Sequence, residues 1–361
     1  MRALVYLGPG TVALQERPIP ALVAPDDVLV QIVGSGVCGT DRKILLGHFP
    51  ARPGVILGHE SVGVIAGRGP AVRSLADGDR VVVDPTLYCG GCDRCRRGAT
   101  NFCRHKQGTE VGVDRDGTFA DYVVLPERFL HRLPQTISFG PAVLIEPLAC
   151  VLNNVSAAAV TCDDVVAVLG AGPIGTLCGL VSRRIARRIV MVETDPYRLA
   201  AAQARFPHVV DASDAKPAKA VVDTAGGHRP SVVIDTTGVG LDDAVALVAD
   251  GGRIVVMGFN STYRVSLSPL YLTHHGISVL GAGDYRAEVF PVAVALAPEL
   301  GLTSLVTHEY PLERYADAFG ALGGVLSTDS APTAYGAMKV AIRSELGEVG
   351  MDGWPLRGSD R

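Results

Sequence analysis

The chain has 361 residues, of which 48% are hydrophobic and 19% are charged, and its formal net charge at pH 7 is −4. This composition excludes a disordered chain, and the length exceeds what one ordinary hydrophobic core supports, so we expect two domains. The small negative charge gives no reason to expect nucleic acid or a membrane surface as a partner.

The N-terminal segment, residues 1–9, has no long apolar run and no cleavage pattern of a secretory signal peptide. We therefore expect a cytoplasmic protein. A second segment, 165–182, is uncharged and is about as long as a membrane span. Its glycines and Pro173 favour a strand, a turn and a helix over a membrane-spanning helix.

Residues 1 to about 150 contain short apolar runs that are typical of β-strands. Gly, Pro and Asp separate these runs, and no extended helical periodicity occurs among them. The runs are residues 28–33, 62–66, 80–83 and 119–125. The pattern predicts a β-rich first domain over residues 1–152.

From residue 165 to about 283, apolar strand-like runs alternate with helical patterns. The runs are residues 165–169, 189–192, 208–210, 232–235, 253–257 and 277–280. Strands that alternate with helices predict an α/β domain with a doubly wound parallel sheet, and we place it at 153–298. We expect 299–361 to return to the first domain and to end in a loose tail at 344–361.

A cluster of four cysteines lies in the first domain, within a glycine-containing loop. Its members are Cys89, Cys92, Cys95 and Cys103. This spacing suits four thiolates around one tetrahedral zinc ion. Because all four positions would be filled by protein, the zinc would be structural. An iron–sulfur cluster, which also uses cysteine ligands, is the alternative.

A glycine-rich turn follows the first strand of the second domain. Gly170 permits a sharp turn, Gly172 lets the backbone approach a pyrophosphate, and Gly175 lets the next helix pack closely. Pro173 and Ile174 open that helix, whose N-terminal N–H groups would face the phosphates. The motif predicts a dinucleotide-binding site.

The next strand ends in an acidic residue, Glu193, at the spacing that a dinucleotide site requires. A carboxylate accepts hydrogen bonds from both ribose hydroxyls and repels a 2′-phosphate, which favours NAD over NADP. Arg198 could attract such a phosphate and keeps NADP open. Asp195 before Pro196 predicts the start of a helix.

Several dispersed polar residues complete the set of candidates. Cys38 and Asp41 lie in one short segment, His59 and Glu60 are adjacent, and Glu146 follows much later. Each of these is unremarkable alone, since a lone cysteine is most often a small core residue.

Together, these motifs resemble the zinc-dependent medium-chain alcohol/polyol dehydrogenase family, in its sorbitol/threonine/aminocyclitol dehydrogenase-like branch. The segments that carry the resemblance occur in the family's order and spacing, and they are residues 38–41, 58–60, 89–103, 146–149 and 170–193. The resemblance covers about residues 1–340. It implies a GroES-like β-rich catalytic domain combined with a Rossmann cofactor domain.

The resemblance also implies roles for single residues. Cys38 and His59 would bind a catalytic zinc, and Glu60 would be a ligand or a displaceable ligand. Glu146 would supply a carboxylate at this zinc, directly or through water, where the classical alcohol dehydrogenases have a second cysteine. Asp41 would hold His59 by its other ring nitrogen. Each chain would thus bind two zinc ions.

The implied reaction is the oxidation of a secondary alcohol of a polyol, sugar or aminocyclitol to a ketone. Zinc would stabilise the bound alkoxide, and the hydride would pass to NAD. Thr40 would take part in catalysis by receiving the proton. Lys43 stands where the family usually has histidine, so Lys43, His48 or water could carry the proton onward.

Two other enzyme types are alternatives, namely an L-threonine-type dehydrogenase and a zinc-poor reductase of quinone-oxidoreductase type. Asn153 and residues 307–309 are similar to those of aminocyclitol dehydrogenases. By analogy with relatives, we expect a homodimer or a homotetramer.

Overall fold

The computed structural model describes residues 1–213, 217–323 and 336–344. The chain forms two compact units, Met1–Pro147 together with Arg286–Arg361, and Leu148–Tyr285. The tail expected at 344–361 lies outside the described residues, apart from Ser344.

The β-strands of the described residues are, in chain order, β1 (Arg2–Gly8), β2 (Thr11–Glu16), β3 (Asp27–Gly36), β4 (Glu60–Arg68), β5 (Arg80–Val83), β6 (Tyr122–Pro126), β7 (Leu130–Arg132), β8 (Val165–Leu169), β9 (Arg188–Glu193), β10 (Val209–Asp211), β11 (Val232–Asp235), β12 (Arg253–Val256), β13 (Ser278–Leu280), β14 (Val306–Pro311) and β15 (Lys339–Arg343).

The α-helices are α1 (Gly39–Leu45), α2 (Asp93–Arg96), α3 (Phe139–Ala142), α4 (Ile145–Ala157), α5 (Pro173–Ser182), α6 (Pro196–Gln203), α7 (Ala218–Thr224), α8 (Leu241–Leu247), α9 (Pro269–His275), α10 (Val289–Leu296) and α11 (Tyr315–Gly320). Short 3₁₀ helices occur at Thr100–Phe102, Glu127–Phe129, Ala297–Glu299, Leu302–Leu305 and Leu312–Arg314.

The first unit is built around strand β3. Its buried residues alternate with half-exposed ones, as expected for a strand with one face on the core. It lies in a sheet of order β14-β15-β3-β4-β5-β7, and β6 pairs with its first half. In this register Gly36 is opposite Glu60 on β4 and Ala341 on β15. The end of β3 and the start of β4 therefore meet beside the middle of β15.

The second unit contains a six-stranded parallel sheet of order β10-β9-β8-β11-β12-β13. Strand β8 is buried along its whole length, which explains its continuous run of Val, Ala and Leu. The predicted α/β class with a doubly wound parallel sheet is confirmed, and each of the six predicted strands is present. None of the helices in the described part of the chain has the length and hydropathy that crossing a bilayer requires.

The sequence placed the domain boundaries at 152/153 and 298/299, whereas the two compact units meet at 147/148 and 285/286. Helix α4 runs across the first of these junctions. Helix α10 belongs to the first unit because Phe290 stacks on His131, with 4.8 Å between the ring centroids. The Ala287 N–H also donates to Thr100 Oγ1 at 2.7 Å.

Residues 1–150 show no extended helical periodicity in the sequence, yet α1, α2, α3 and the start of α4 lie there. Helix α1 has only seven residues, which is too short for a helical period to show in the sequence. Its start is fixed by a local contact instead, since the Asp41 carboxylate accepts the backbone N–H of Cys38 at 2.9 Å.

Candidate metal centres and cofactor-binding turn

The four clustered cysteines bring their sulfurs together in the first unit without forming a disulfide. The Sγ atoms are 3.9 Å apart for Cys89 and Cys95, 3.5 Å for Cys92 and Cys95, and 4.0 Å for Cys92 and Cys103. Tetrahedral zinc with Zn–S bonds of about 2.3 Å separates its sulfurs by about 3.8 Å. The group therefore fits one zinc ion.

Backbone N–H groups in this loop donate hydrogen bonds to the cysteine sulfurs, which stabilises thiolates. The N–H groups of Cys92 and Cys95 donate to the sulfurs of Cys89 and Cys92 at 3.3 and 3.5 Å. Backbone donors from Cys95 and Arg104 lower the pKa of Cys92 to about 6, whereas burial and the contact with Cys92 raise the pKa of Cys95 to about 12. Cys92 thus ionises more readily than Cys95, and a bound cation would favour the thiolate form of both.

A second group of potential ligands lies where β3 ends and β4 begins. The ligand atoms of Cys38, His59 and Glu60 all lie within 4.8 Å of one another. Cys38 precedes α1, and His59 directly precedes β4, whose first residue is Glu60. One sulfur, one ring nitrogen and one carboxylate oxygen are ligands that zinc accepts.

Asp41 lies beside His59 in this group. Its carboxylate is fully buried, and its Oδ1 atom lies 3.6 Å from Nδ1 of His59. Neither of these two atoms has a hydrogen-bond partner. Burial lowers the pKa of His59, but the charges of Asp41 and Cys38 outweigh it and raise this pKa well above its usual value. The arrangement leaves Nε2 of His59 to face a cation.

Glu60 has a partner that the sequence did not indicate. Its side chain forms an ion pair with Lys339, the first residue of β15. The two side chains are 1% and 4% exposed. Burial lowers the pKa of Lys339, but Glu60 and Cys38 outweigh burial and raise it. The only signal in the sequence is one charge within the apolar run 338–342.

Glu146 lies on the first turn of α4 and is buried, but its carboxylate is not part of the compact group of three ligands. Its charge still contributes to the raised pKa values of His59 and Lys339. Glu146 is therefore near the group, at longer range than Glu60.

The residues predicted for proton transfer begin on α1. Thr40 and Lys43 are half-buried and one helical turn apart, whereas His48 is exposed. Burial lowers the pKa of Lys43, partly opposed by the charge of Cys38. Lys43 thus lies near the charge of Cys38 in a site where burial makes its charged form less favourable than in water.

In the second unit, the glycine turn follows β8 as predicted. Gly170 has a φ of +90°, and a Cβ on Gly175 would lie only 1.9 Å from the carbonyl oxygen of Gly170. Gly172 precedes α5, which opens with Pro173 and Ile174. Glycine is required for the turn itself and for the close approach of the helix.

Glu193 ends β9 beside this turn and accepts several backbone N–H groups. Its Oε2 atom accepts from Ala171 at 2.6 Å, and its Oε1 atom accepts from Thr194 and Asp195 at 2.7 and 2.9 Å. The Thr194 hydroxyl also donates to Oε1 at 3.4 Å, so the acceptor position that remains for a ligand hydroxyl is on Oε2. Glu193 therefore also fixes the turn, a role that the sequence did not indicate.

Arg198 also lies against the turn. A Cβ on Gly172 would be 3.3 Å from its Nη1 atom. Asp195 accepts the backbone N–H of Arg198 at 3.0 Å, and α6 starts at Pro196 as predicted. The guanidinium is a cation beside the turn.

A neighbouring loop completes this region and was not predicted. Asp235 ends β11, the strand next to β8, and its carboxylate accepts the N–H groups of Thr237 and Gly240 at 2.8 and 3.2 Å. Thr236 donates its hydroxyl to the carbonyl oxygen of Leu169 at 2.8 Å. The loop packs on the glycine turn at the point where the strand order reverses, which is where doubly wound sheets bind ligands.

Comparison with known families gives two matches. Residues 24–135 match the alcohol dehydrogenase GroES-like domain, and residues 173–299 match the zinc-binding dehydrogenase family. The first segment contains the Cys38 group and the four cysteines, and the second contains Gly175 and Glu193.

Two relatives extend over most of the chain. A protein of Emericella nidulans named "Probable D-xylulose reductase A" is 32% identical over 88% of this chain and 92% of its own length. A sorbitol dehydrogenase of Halalkalibacterium halodurans is 30% identical over 89% of this chain and 96% of its own length.

Solved structures have the same fold. A structure titled as a zinc-binding dehydrogenase of Sinorhizobium meliloti 1021, bound to NADP, has a TM-score of 0.84 and 29% identity, and covers 95% of this chain and 98% of that one. An alcohol dehydrogenase of Escherichia coli complexed with NADH has a TM-score of 0.83 and 28% identity. The match covers 95% of this chain and 99% of that one.

Proposed function

The chain belongs to the zinc-dependent medium-chain alcohol/polyol dehydrogenase family, and on that premise we propose that it oxidises a secondary alcohol of a polyol, sugar or aminocyclitol to a ketone with NAD. The observation that carries the proposal is the buried group of Cys38, His59 and Glu60 in a chain that also has the dinucleotide turn. The sorbitol dehydrogenase relative supports a hydroxyl-rich substrate.

Cys38 and His59 are the proposed permanent ligands of the catalytic zinc, with oxygen ligands from Glu60 and Glu146. When bound there, zinc supplies a Lewis acid for the charge that develops on the substrate oxygen. Asp41 holds His59 so that its other ring nitrogen points to the metal. The second zinc belongs to the four cysteines and is structural.

Thr40 is the proposed acceptor of the substrate proton. Lys43 is the favoured next carrier because it is half-buried one turn further along α1, whereas His48 is exposed. The lowered pKa of Lys43 brings its neutral form closer to working pH, so the amine can take a proton and release it.

NAD is preferred over NADP in this proposal. Gly170, Gly172 and Gly175, with Pro173 and Ile174 at the helix start, form the pyrophosphate site. Glu193 accepts a ribose hydroxyl through the remaining acceptor position of Oε2 and repels a 2′-phosphate. Arg198 then faces the pyrophosphate instead of a 2′-phosphate.

We further propose a cytoplasmic homodimer or homotetramer. Strand β13 is at the edge of the parallel sheet, and among the described residues only β12 pairs with it. Edge strands present unpaired backbone groups that another chain can extend. Val279 on this strand and Leu270 before it are also exposed, at 37% and 68%. A second copy would cover both features.

The test is a substrate panel. Polyols, sugars, aminocyclitols and L-threonine are offered to zinc-loaded protein with NAD, and formation of NADH is followed by absorbance. Turnover of a polyol, sugar or aminocyclitol supports the proposal. Turnover of L-threonine alone would identify a threonine-type dehydrogenase, and no turnover with NAD or NADP would reject a dehydrogenase role.

A further inference from the structure

Glu60 and Lys339 form a buried ion pair directly behind the Cys38 group. Lys339 Nζ also donates to the carbonyl oxygen of Val37 at 3.1 Å. A Cβ on Gly36 would lie 2.3 Å from Oε2 of Glu60 and 2.7 Å from Cε of Lys339. The pair therefore occupies a space that exists only because β3 has glycine at this position.

The pair involves one of the potential metal ligands. Glu60 offers one carboxylate oxygen to the group with Cys38 and His59, and its Oε2 atom contacts Lys339. A buried carboxylate is costly unless a partner neutralises it, and Lys339 is such a partner. Zinc and Lys339 would therefore compete for the charge of the same carboxylate.

We propose that Lys339 is a positioning residue that keeps Glu60 a displaceable ligand instead of a permanent one. The inference rests on the proposed function, because it requires a zinc at Cys38 and His59. With its Oε2 atom in contact with Lys339, Glu60 would hold the metal less tightly than an unpaired carboxylate would. Glu60 then leaves one coordination position available to the substrate, which a catalytic zinc site needs and a closed site lacks.

A purely structural role makes a different prediction. If the pair only joined β15 to β4, loss of Lys339 would change stability without changing how tightly Glu60 holds the metal. If Lys339 restrains Glu60, its loss frees the carboxylate to bind zinc more tightly and to obstruct the substrate position. Zinc release therefore distinguishes the two roles.

The experiment compares Lys339→Met, Glu60→Gln and the double variant by the rate of zinc release to a chromogenic chelator. The zinc of the four cysteines is the internal reference. Lys339→Met should slow release of the catalytic zinc about 10-fold and raise the substrate KM by about 10- to 100-fold with little change in kcat, because Glu60 would compete with the substrate for its coordination position. Lys339→Arg, which retains the charge, should restore both values to within about twofold of the original protein.

In the Glu60→Gln background, Lys339→Met should have no further effect on zinc release, because the residue acts through Glu60. Unchanged or faster release in Lys339→Met, or an effect that persists in the Glu60→Gln background, would overturn the proposal. If Lys339→Met does not fold, the comparison of Glu60→Gln with the neutral double variant decides, and a difference beyond about twofold rejects it.

Metal analysis of the unsubstituted protein separates this inference from the proposed function. A single zinc per chain, held by the four cysteines, would mean that both have failed. If the protein holds two zinc ions and oxidises an alcohol, but Lys339→Met does not change the rate of zinc release, only the inference has failed.

Discussion

The two candidate metal centres lie in the same unit and are built in opposite ways. The four-cysteine centre comes from one short segment, Cys89 to Cys103, and much of that loop is exposed. The Cys38 centre joins the ends of β3 and β4, with Lys339 of β15 behind it, and its carboxylates are buried. The first is a closed set of like ligands that suits a brace, whereas the second mixes ligand types as a reactive site does.

The largest expected effect comes from breaking the Cys38 centre. Cys38→Ala removes a permanent ligand, so turnover should fall by at least about 1,000-fold, since the metal supplies several kcal/mol of transition-state stabilisation. Binding of NADH, measured by fluorescence titration, should stay within about twofold, because the dinucleotide turn lies in the other unit. Turnover within tenfold of the original would reject the assignment of Cys38.

The matched change in the other centre is Cys95→Ala. Loss of one of four ligands should release the structural zinc and lower Tm by about 10 °C, which corresponds to a few kcal/mol for a domain of this size. The protein that remains folded should keep its KM for substrate and cofactor. If Cys95→Ala abolished turnover without lowering Tm, the contrast between brace and reactive site would be wrong.

A third substitution changes the cofactor-binding turn and leaves both metal centres intact. Glu193→Ser removes the carboxylate that repels a 2′-phosphate, so the ratio of kcat/KM for NADP to that for NAD should rise about tenfold or more. Because Glu193 also accepts N–H groups of the turn, affinity for both cofactors should fall. An unchanged ratio would show that Glu193 does not contact the ribose.

The smallest effect concerns His131, which lies in the metal-binding unit. Burial lowers the pKa of His131 to about 4 from 6.5, so the folded state favours neutral histidine. Its contribution to stability is complete above about pH 6.5 and is lost as the pH falls towards 4, by about 2 kcal/mol at pH 5.

His131→Phe keeps the stacking on Phe290 and removes this proton uptake. Thermal unfolding at pH 8 and pH 5 measures the difference, with the pH 8 measurement as the control. The variant should lose less stability than the original protein between these two pH values. An equal loss in both proteins would contradict the account.

The sequence predicted most accurately what is local. The six strands of the parallel sheet and the glycine turn could be found because periodicity and glycine spacing act over a few residues. The four cysteines could be assigned for the same reason. Helix α1 was missed because seven residues are too few for a period, and α10 was missed as part of the first unit because its packing on His131 joins distant segments.

The reactive centre was less accessible to sequence reasoning. Cys38, His59 and Glu146 are unremarkable singly, and only the family resemblance joined them. The pairing of Lys339 with Glu60 could not be predicted, because it depends on β15 pairing with β3 from the far end of the chain. Non-local strand pairing leaves no spacing signal in a single sequence.

The central claim is that one chain holds two zinc ions in different roles, and metal analysis tests it most directly. Zinc per chain is measured by atomic emission for the purified protein and for Cys38→Ala. The account predicts two zinc ions per chain in the first and one in the second, with the remaining ion held by the four cysteines. One zinc ion in the unsubstituted protein, or no loss in Cys38→Ala, would contradict it.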